Sequence, residues 1–372
     1  MKVGTLGATA QLNSATPVGR LVYGTTFYRD YVDSSNHRYR ADGTFDRADV
    51  QGPVADDSTY DLAGLYVQNQ LPAWGPFTLS IRGRYDHAAA HAGRMLDPVR
   101  NGPISLDRSW DSLVGSGRLS WQSGEHWLAF ANVAQGFRAP NLSDLSRLDI
   151  AASGQIETPS SSVSPERYVS DEFGVKYRNA GVGLEAAFFR TQIQGMIIRE
   201  PTGRLIDGLA EVTKRNSGEG YIQGVEFQGH LQLGSAWVAQ AAHTWMEGRL
   251  TVFPTSNPTL QIREPISRLM PATTRLALRF EPLNRPYSAE LSHTLAGRQD
   301  RLSASDLADT ERIPPGGTPG YRVWTLRAGW RFPHHFTLSA ALENLTNRDY
   351  RIHGSGINET GRNLILSGTV KF

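Results

Sequence analysis

One short segment of the chain combines residue types that can bend a backbone, end a strand and bind an anion. It consists of Gly136, Phe137, Arg138, Ala139 and Pro140. Glycine permits a bend, proline removes a backbone donor from a hydrogen-bonded ladder, and a guanidinium binds anions through paired hydrogen bonds. The sequence favours a structural strand end here and leaves an anion-binding role for the arginine as the alternative.

Further basic and imidazole side chains fall in or beside the long segments between predicted strands. There they could attract an anionic ligand. Scattered surface charge explains the same distribution and is the favoured alternative. The candidate ligand residues are His37, Arg38, Arg40, Arg94, Arg100, Arg108, Arg138 and His353.

The histidines do not form a pattern that predicts a metal site. His87 and His91 face the same way on a predicted strand, but at roughly 3.3 Å per residue they lie about 13 Å apart, too far to share a metal. His334 and His335 fall in a predicted turn. We therefore expect no metal-binding residues and no resident cofactor.

Common catalytic and nucleotide-binding motifs are not matched. The sequence contains no nucleophile elbow of the serine hydrolase type. In the glycine-rich segment 218–224, the last glycine comes one residue late for a dinucleotide loop. We expect no catalytic residues and no enzymatic activity.

Composition narrows the class of protein. The 372 residues include no cysteine, which excludes disulfides, thiolate zinc sites and a cysteine nucleophile. The 38 basic and 36 acidic residues are scattered along the chain and give a net charge of +2, so no nucleic-acid partner is expected. No run approaches the roughly 18 apolar residues of a membrane-spanning helix.

Alternation with a period of two predicts many antiparallel strands. Phe77, Leu79 and Ile81 alternate with polar neighbours, and residues 323–332 do the same with Arg327 and Arg331 on the polar side. One face of such strands suits lipid and the other suits water. Fifteen strands are predicted, near residues 2–14, 17–34, 58–72, 76–91, 107–122, 125–139, 168–178, 181–199, 211–232, 235–252, 271–282, 286–300, 320–332, 335–350 and 362–372.

The predicted connections alternate in length. Outer-membrane barrels have tight periplasmic turns and longer extracellular loops, so this pattern predicts an all-β fold, an antiparallel transmembrane β-barrel. A soluble sandwich or propeller is the alternative, because half-buried antiparallel sheets alternate too. Short turns lie near residues 15, 74, 123, 180, 233, 284 and 334, and long loops span 35–57, 92–106, 140–167, 200–210, 253–270, 301–319 and 351–361.

Four segments resemble motifs of the TonB-dependent outer-membrane receptors and occur in the same order along the chain. They are 131–142, which contains the Gly136–Pro140 segment, then 164–177, 220–227 and 342–350. The resemblance covers essentially the whole chain and implies one barrel domain, residues 1–372. It matches only the later part of a family barrel that has twenty-two strands around a plug. With roughly seven strands and the plug absent, we expect an N-terminally truncated barrel.

The resemblance also implies a function and a location. The expected function is uptake of a scarce nutrient, a ferric siderophore or related metal chelate, by a multi-pass protein of the bacterial outer membrane. The implied partners are outer-membrane lipid, an extracellular small-molecule ligand, TonB through an N-terminal region absent here, and the barrel assembly machinery. Phe372 is the expected C-terminal assembly residue.

Other functions stay open at this point. A passive pore or a surface-binding module would need neither plug nor energy coupling. Haem and cobalamin are alternative substrates. The family's haem transporters carry a histidine in the loop after the segment that corresponds to Gly136–Pro140, but residues 141–167 contain no histidine. The candidate haem ligands that remain are His353, His87 and His91. An outer-membrane hydrolase would need Ser or Asp clustered with His.

Overall fold

Antiparallel strands make up most of the chain. The computed structural model describes residues 1–99, 101–150, 154–333 and 335–371, so Arg100, His334 and Phe372 lie outside the described residues. No helix in the described ranges is long and apolar enough to cross a membrane. The elements are β1 (Lys2–Thr16), β2 (Gly19–Asp33), β3 (His37–Tyr39), β4 (Phe45–Ala48), β5 (Ser58–Gln70), β6 (Phe77–Asp97), β7 (Gly102–Ser123), β8 (Trp127–Arg138), α1 (Leu142–Ser146), β9 (Asp149–Ile150), β10 (Gln155–Thr158), β11 (Glu166–Arg178), β12 (Val182–Ile206), β13 (Leu209–Leu233), β14 (Trp237–Val252), β15 (Ile262–Pro265), β16 (Thr273–Phe280), β17 (Tyr287–Ala296), α2 (Ala304–Ala308), β18 (Tyr321–Arg331), β19 (Phe336–Glu343) and β20 (Asn363–Val370).

Fifteen long strands form one continuous sheet in which each pairs antiparallel with the next one along the chain. The order runs β1, β2, β5, β6, β7, β8, β11, β12, β13, β14, β16, β17, β18, β19, β20. The short strands β9, β10 and β15 extend this sheet within the loops, and β3 with β4 forms a separate hairpin. No pairing joins β1 to β20 in the described part of the chain.

The fifteen predicted strands correspond one to one with these fifteen long strands, which confirms the all-β antiparallel prediction. Three predicted boundaries are wrong. Most of the predicted loop 92–106 is strand, because β6 continues to Asp97 and β7 begins at Gly102. The strand predicted over 335–350 ends at Glu343, because Asn344 takes a left-handed φ of 49° and its side chain bonds to the backbone of Arg348. The predicted loop 200–210 is mostly strand, because Asp207 and Gly208, both at positive φ, make a tight turn between β12 and β13.

The two faces of the sheet differ in polarity. Leu326 lies opposite Leu291 on β17 and Leu342 on β19, and the residues in line with it form the apolar face. Arg327, one residue on, lies opposite Glu290 on the other side, which we call the polar face. This register confirms the predicted positions of Arg327 and Arg331.

Aromatic rings collect at the end of the sheet where the short turns lie. Trp237 packs against Phe280 with ring centroids 4.7 Å apart, and Tyr287 packs against Trp330 at 5.5 Å. Each of these residues is the first, the last or the last but one residue of its strand. Amphipathic rings in such a row suit a membrane interface.

The buried apolar core lies at the opposite end, among the long loops. There α1 and the loop segments 51–55 and 158–163 pack against the ends of β2, β6 and β12. This packing holds the irregular segments in place above the strands. The core residues are Val32, Val54, Ala55, Ala90, Ala92, Met95, Leu142, Leu145, Val163 and Ile197.

Candidate functional site

Arg138 is the last residue of β8 and joins two segments of chain at the long-loop end of the sheet. It lies opposite Glu166, the first residue of β11. Its Nε donates to Glu166 Oε2 at 2.7 Å and its Nη2 donates to Oε1 at 2.6 Å. Its Nη1 donates to Asp144 Oδ2 at 2.6 Å. The guanidinium therefore connects α1 to two strands.

The ion pairs continue from Asp144 into the neighbouring strands. Lys214 on β13 donates from Nζ to Asp144 Oδ1 at 3.1 Å and lies 3.6 Å from Glu157 Oε1. Arg199 on β12 donates from Nε to Glu157 Oε2 at 2.7 Å. Positive and negative groups alternate along this path, and the charges cancel. We call this set the rim network: Glu166, Arg138, Asp144, Lys214, Glu157 and Arg199.

The carboxylates of the rim network are buried. Glu157 and Glu166 are each 1% exposed and Asp144 is 7% exposed. Burial acts to raise the pKa of Asp144, but hydrogen bonds from Arg138 and from the Asn141 backbone, with the charge of Lys214, outweigh it and lower that pKa. A buried carboxylate with this many donors is a structural anchor.

The residues after Arg138 continue the anchoring. Pro140 is fully buried, and Asn141 caps α1 by accepting a hydrogen bond from the Asp144 backbone at 2.9 Å. Leu142 and Leu145 of α1 enter the apolar core. The geometry therefore supports the structural interpretation of the Gly136–Pro140 segment, since Nε, Nη1 and Nη2 of its arginine all donate to carboxylates of this chain.

A cavity of about 380 Å³ opens beside the rim network. One wall carries Glu211, which is 1% exposed and accepts hydrogen bonds from Arg204 at 2.6 and 2.9 Å and from Thr158 at 2.9 Å. Burial acts to raise the pKa of Glu211, but the bonds from Arg204, Thr202 and Thr158 outweigh it and lower that pKa. The remaining lining is rich in hydroxyls. We call this space the rim cavity.

The other basic residues singled out in the sequence lie apart from the rim network. The β3–β4 hairpin presents His37 and Arg38 to solvent, and Arg38 Nε donates to Asp49 Oδ2 at 2.9 Å. Arg94 pairs with Asp56. On the same hairpin Arg40 pairs with Asp46 at 3.3 Å, and Arg108 donates to the Ser161 carbonyl at 2.8 Å.

His353 is buried within the loops. It is 6% exposed, its Nδ1 lies 2.8 Å from Thr318 Oγ1, and its Nε2 has no hydrogen-bond partner. Burial lowers its pKa, so the ring is neutral at neutral pH. In this conformation the ring does not face solvent.

The side chains of the two β6 histidines, His87 and His91, are exposed, and each lies beside a different aspartate. His87 Nδ1 lies 2.9 Å from Asp111, and His91 Nδ1 lies 2.7 Å from Asp107. Within the described ranges, no three His, Asp or Glu side chains come close enough to hold a metal ion.

Several residues of the site carried no signal that the sequence reasoning used. Glu166 could have been found, because it begins the strand next to the one that Arg138 ends. Glu157, Arg199 and Lys214 could not, because their approach depends on a parallel pairing between β10 and β13 inside irregular loops.

Three solved structures share this architecture. Copper transporter OprC has a TM-score of 0.77 at 18% identity, covering 98% of this chain and 55% of its own. A double mutant of the hemophore receptor HasR from Serratia marcescens, in complex with its hemophore and heme, has a TM-score of 0.75 at 18% identity. The match covers 98% of this chain and 58% of HasR. An FrpB iron transporter variant from Neisseria meningitidis has a TM-score of 0.72 at 17% identity, covering 100% and 55%.

A curated protein is also similar in sequence. It is the ferric enterobactin receptor PirA from Pseudomonas aeruginosa, 22% identical over 318 residues, which are 78% of this chain and 41% of PirA. The chain thus spans less than half the length of that relative. The family model described as TonB dependent receptor-like, beta-barrel, matches residues 2–345. The chain belongs to the TonB-dependent receptor family.

Proposed function

We propose that this chain forms barrel strands and external loops of an outer-membrane receptor for nutrient uptake. The observation that carries the proposal is the arrangement of the sheet. One face is apolar and the other charged, the short turns lie at one end with a row of aromatic rings, and the long loops form a packed rim at the other. Strands of this kind cross a bilayer with their loops outside.

We infer that the ligand is a ferric siderophore or a related metal chelate. PirA is named as a ferric enterobactin receptor, and the solved relatives are named for copper, iron and heme. Such chelates are held by polar groups on loops above a rigid scaffold. Because the chain spans 41% of PirA, the plug, TonB coupling and the barrel assembly machinery belong to the proposal for the complete protein.

The loop residues divide into two roles. His37 and Arg38 are exposed on a hairpin, so we assign them to ligand capture, and Arg94 is 62% exposed and can join them. Arg138 and His353 bond to buried residues of this chain, Asp144 and Thr318. We assign this arginine and this histidine to holding the loops in shape.

Surface binding of a metal chelate tests the proposal. The full protein is produced in cells that lack their own copy, and saturable binding of radioactive iron as ferric enterobactin is measured on intact, chilled cells, with haem and cobalamin in parallel. We expect saturable binding of the ferric chelate. Arg38→Ala should weaken it about fivefold at most, because an exposed charge contributes roughly 1 kcal/mol or less.

Arg285→Ala is the matched control, because Arg285 is an exposed arginine in the short turn between β16 and β17. It should bind like the unchanged protein. Equal weakening in both variants would remove the hairpin from the proposal. Leakage of small solutes without saturable binding of any of the three compounds would favour a passive pore.

A further inference from the structure

A second cavity, of about 850 Å³, lies away from the rim network, beside the loop ends of β17 and β18. Trp324 of β18 lies opposite His293 of β17, and their rings stack in parallel with centroids 4.0 Å apart. Trp324 and Leu326 are two residues apart on one strand, so this stacked pair belongs to the apolar face. It forms a flat wall of the cavity.

Two arginines border the same cavity. Arg322 is two residues from Trp324 and so projects from the apolar face. The Leu345 backbone donates to the Trp324 carbonyl at 2.9 Å, which carries the chain after β19 alongside β18. That path brings Thr346 and Arg348 to the cavity.

Neither guanidinium has a partner among the described residues. In the described part of the chain, the side chains of Arg322 and Arg348 make no hydrogen bond or ion pair, and both residues are exposed. Two arginines on the polar face of the same part of the sheet differ, since Arg275 pairs with Glu290 at 2.6 Å and Arg327 lies 3.5 Å from Glu343. Two unpaired cations next to an apolar surface are matched by an anion that also carries hydrocarbon.

An apolar groove continues from this cavity along the same face. It has a volume of about 620 Å³ and shares His293 and Trp324 with the cavity that Arg322 and Arg348 border, which we call the basic cavity. Leu276, Leu278 and Leu291 line the groove, and so does Ala241 of β14, whose small side chain leaves space there. A basic cavity joined to an apolar groove has the shape and polarity of one amphiphile.

We propose that a phosphorylated membrane lipid binds here, with its phosphate between Arg322 and Arg348 and an acyl chain in the groove. Guanidinium groups bind phosphate oxygens through paired, charge-assisted hydrogen bonds. The stacked Trp324 lies where headgroup and hydrocarbon meet, as tryptophan does at membrane interfaces. The inference rests on the proposed function, because it requires the apolar face to contact a bilayer.

Native mass spectrometry of the full protein in detergent tests this site. The probe is dimyristoyl phosphatidic acid, and dimyristoyl phosphatidylcholine serves as the lipid without net charge. We expect the R322A/R348A variant to bind phosphatidic acid about tenfold or more weakly, because it loses two charge-assisted contacts. The R279A/R331A control removes equal charge from the polar face and should change Kd by less than about twofold.

A second variant separates the headgroup from the chain. Ala241→Phe fills the groove and leaves both arginines in place, so it should weaken dimyristoyl phosphatidic acid and spare the short-chain dihexanoyl form. Equal affinity of the unchanged protein and R322A/R348A for phosphatidic acid would overturn the proposal. Full competition by inorganic phosphate alone would also overturn it, because the site would then bind free phosphate.

The failure of this inference is distinguishable from failure of the proposed function. If only the lipid site is wrong, ferric chelate binding on cells persists while the arginine variants bind lipid normally. If the membrane placement is wrong, the protein is recovered outside the outer membrane and chelate binding is lost as well.

Discussion

Arg138 and Arg279 expose similar fractions of their side chains, 38% and 42%, but they have different partners. Arg138 binds Glu166 and Asp144, which are buried, whereas Arg279 pairs at 2.7 Å with Glu281, which is 39% exposed. Removing a cation from buried carboxylates leaves charge without compensation. The role of an arginine here therefore depends on the burial of its partners.

Arg138→Ala should destabilise the rim by about 2–3 kcal/mol, less than the roughly 3–5 of a fully buried pair because the guanidinium is partly exposed. We expect α1 to become sensitive to protease while the long strands stay intact. Arg279→Ala, with its similar exposure and its exposed partner, should cost about 1 kcal/mol or less. Equal protease sensitivity in the two variants would contradict this role for Arg138.

Acid should loosen the same region. The folded-state pKa values of Asp144 and Glu211 are lowered, so their contribution to stability is present above the unfolded value of about 4 and is lost as pH falls through the folded values. Hydrogen exchange of residues 141–147, corrected for its intrinsic pH dependence, should show protection that persists to about pH 4 and then falls.

Asp144→Asn supplies the control for the acid effect. It removes one of the titrating groups, so protection should be lower at neutral pH and change less on acidification. Protection that stays constant well below pH 4 in the unchanged protein would show that these carboxylates do not hold the rim.

At the scale of elements, the strands were predictable and several of their ends were not. Alternation with a period of two is a local signal, and it predicted the fifteen long strands and the faces of Arg327 and Arg331. The end of β19 depends on Asn344, which bonds to Thr360 and Arg348 across a loop. The rim network depends on chain segments as far apart as Asp144 and Lys214. Contacts between residues so far apart in the sequence leave no periodic pattern, so they could not be predicted from the sequence.

Because adjacent residues of a strand lie on opposite faces of the sheet, the same substitution should have unequal effects on stability at two adjacent positions. Leu326→Arg places a charge on the apolar face and should destabilise the protein in a bilayer by about 2–4 kcal/mol. Thr325→Arg places the same charge on the polar face, beside Ser292, and should cost much less. Unfolding by denaturant in lipid vesicles measures both, and a larger loss for Thr325→Arg would reverse the assigned faces.

At the scale of the whole molecule, the account depends on which end of the sheet faces outward. These 372 residues contain no cysteine, so each introduced thiol is the only one among them. Ala41 is exposed at the tip of the β3–β4 hairpin, and Ser235 is exposed in the short turn between β13 and β14. Both substitutions to cysteine are small, so neither should disturb the fold.

Labelling of intact cells with a maleimide that cannot cross membranes is therefore the most direct test. We expect Ala41→Cys to react on intact cells, and Ser235→Cys to react only after the outer membrane has been opened. Reaction of Ser235→Cys on intact cells with Ala41→Cys protected, or equal reaction of both, would contradict the placement of the long loops outside and with it the proposed receptor.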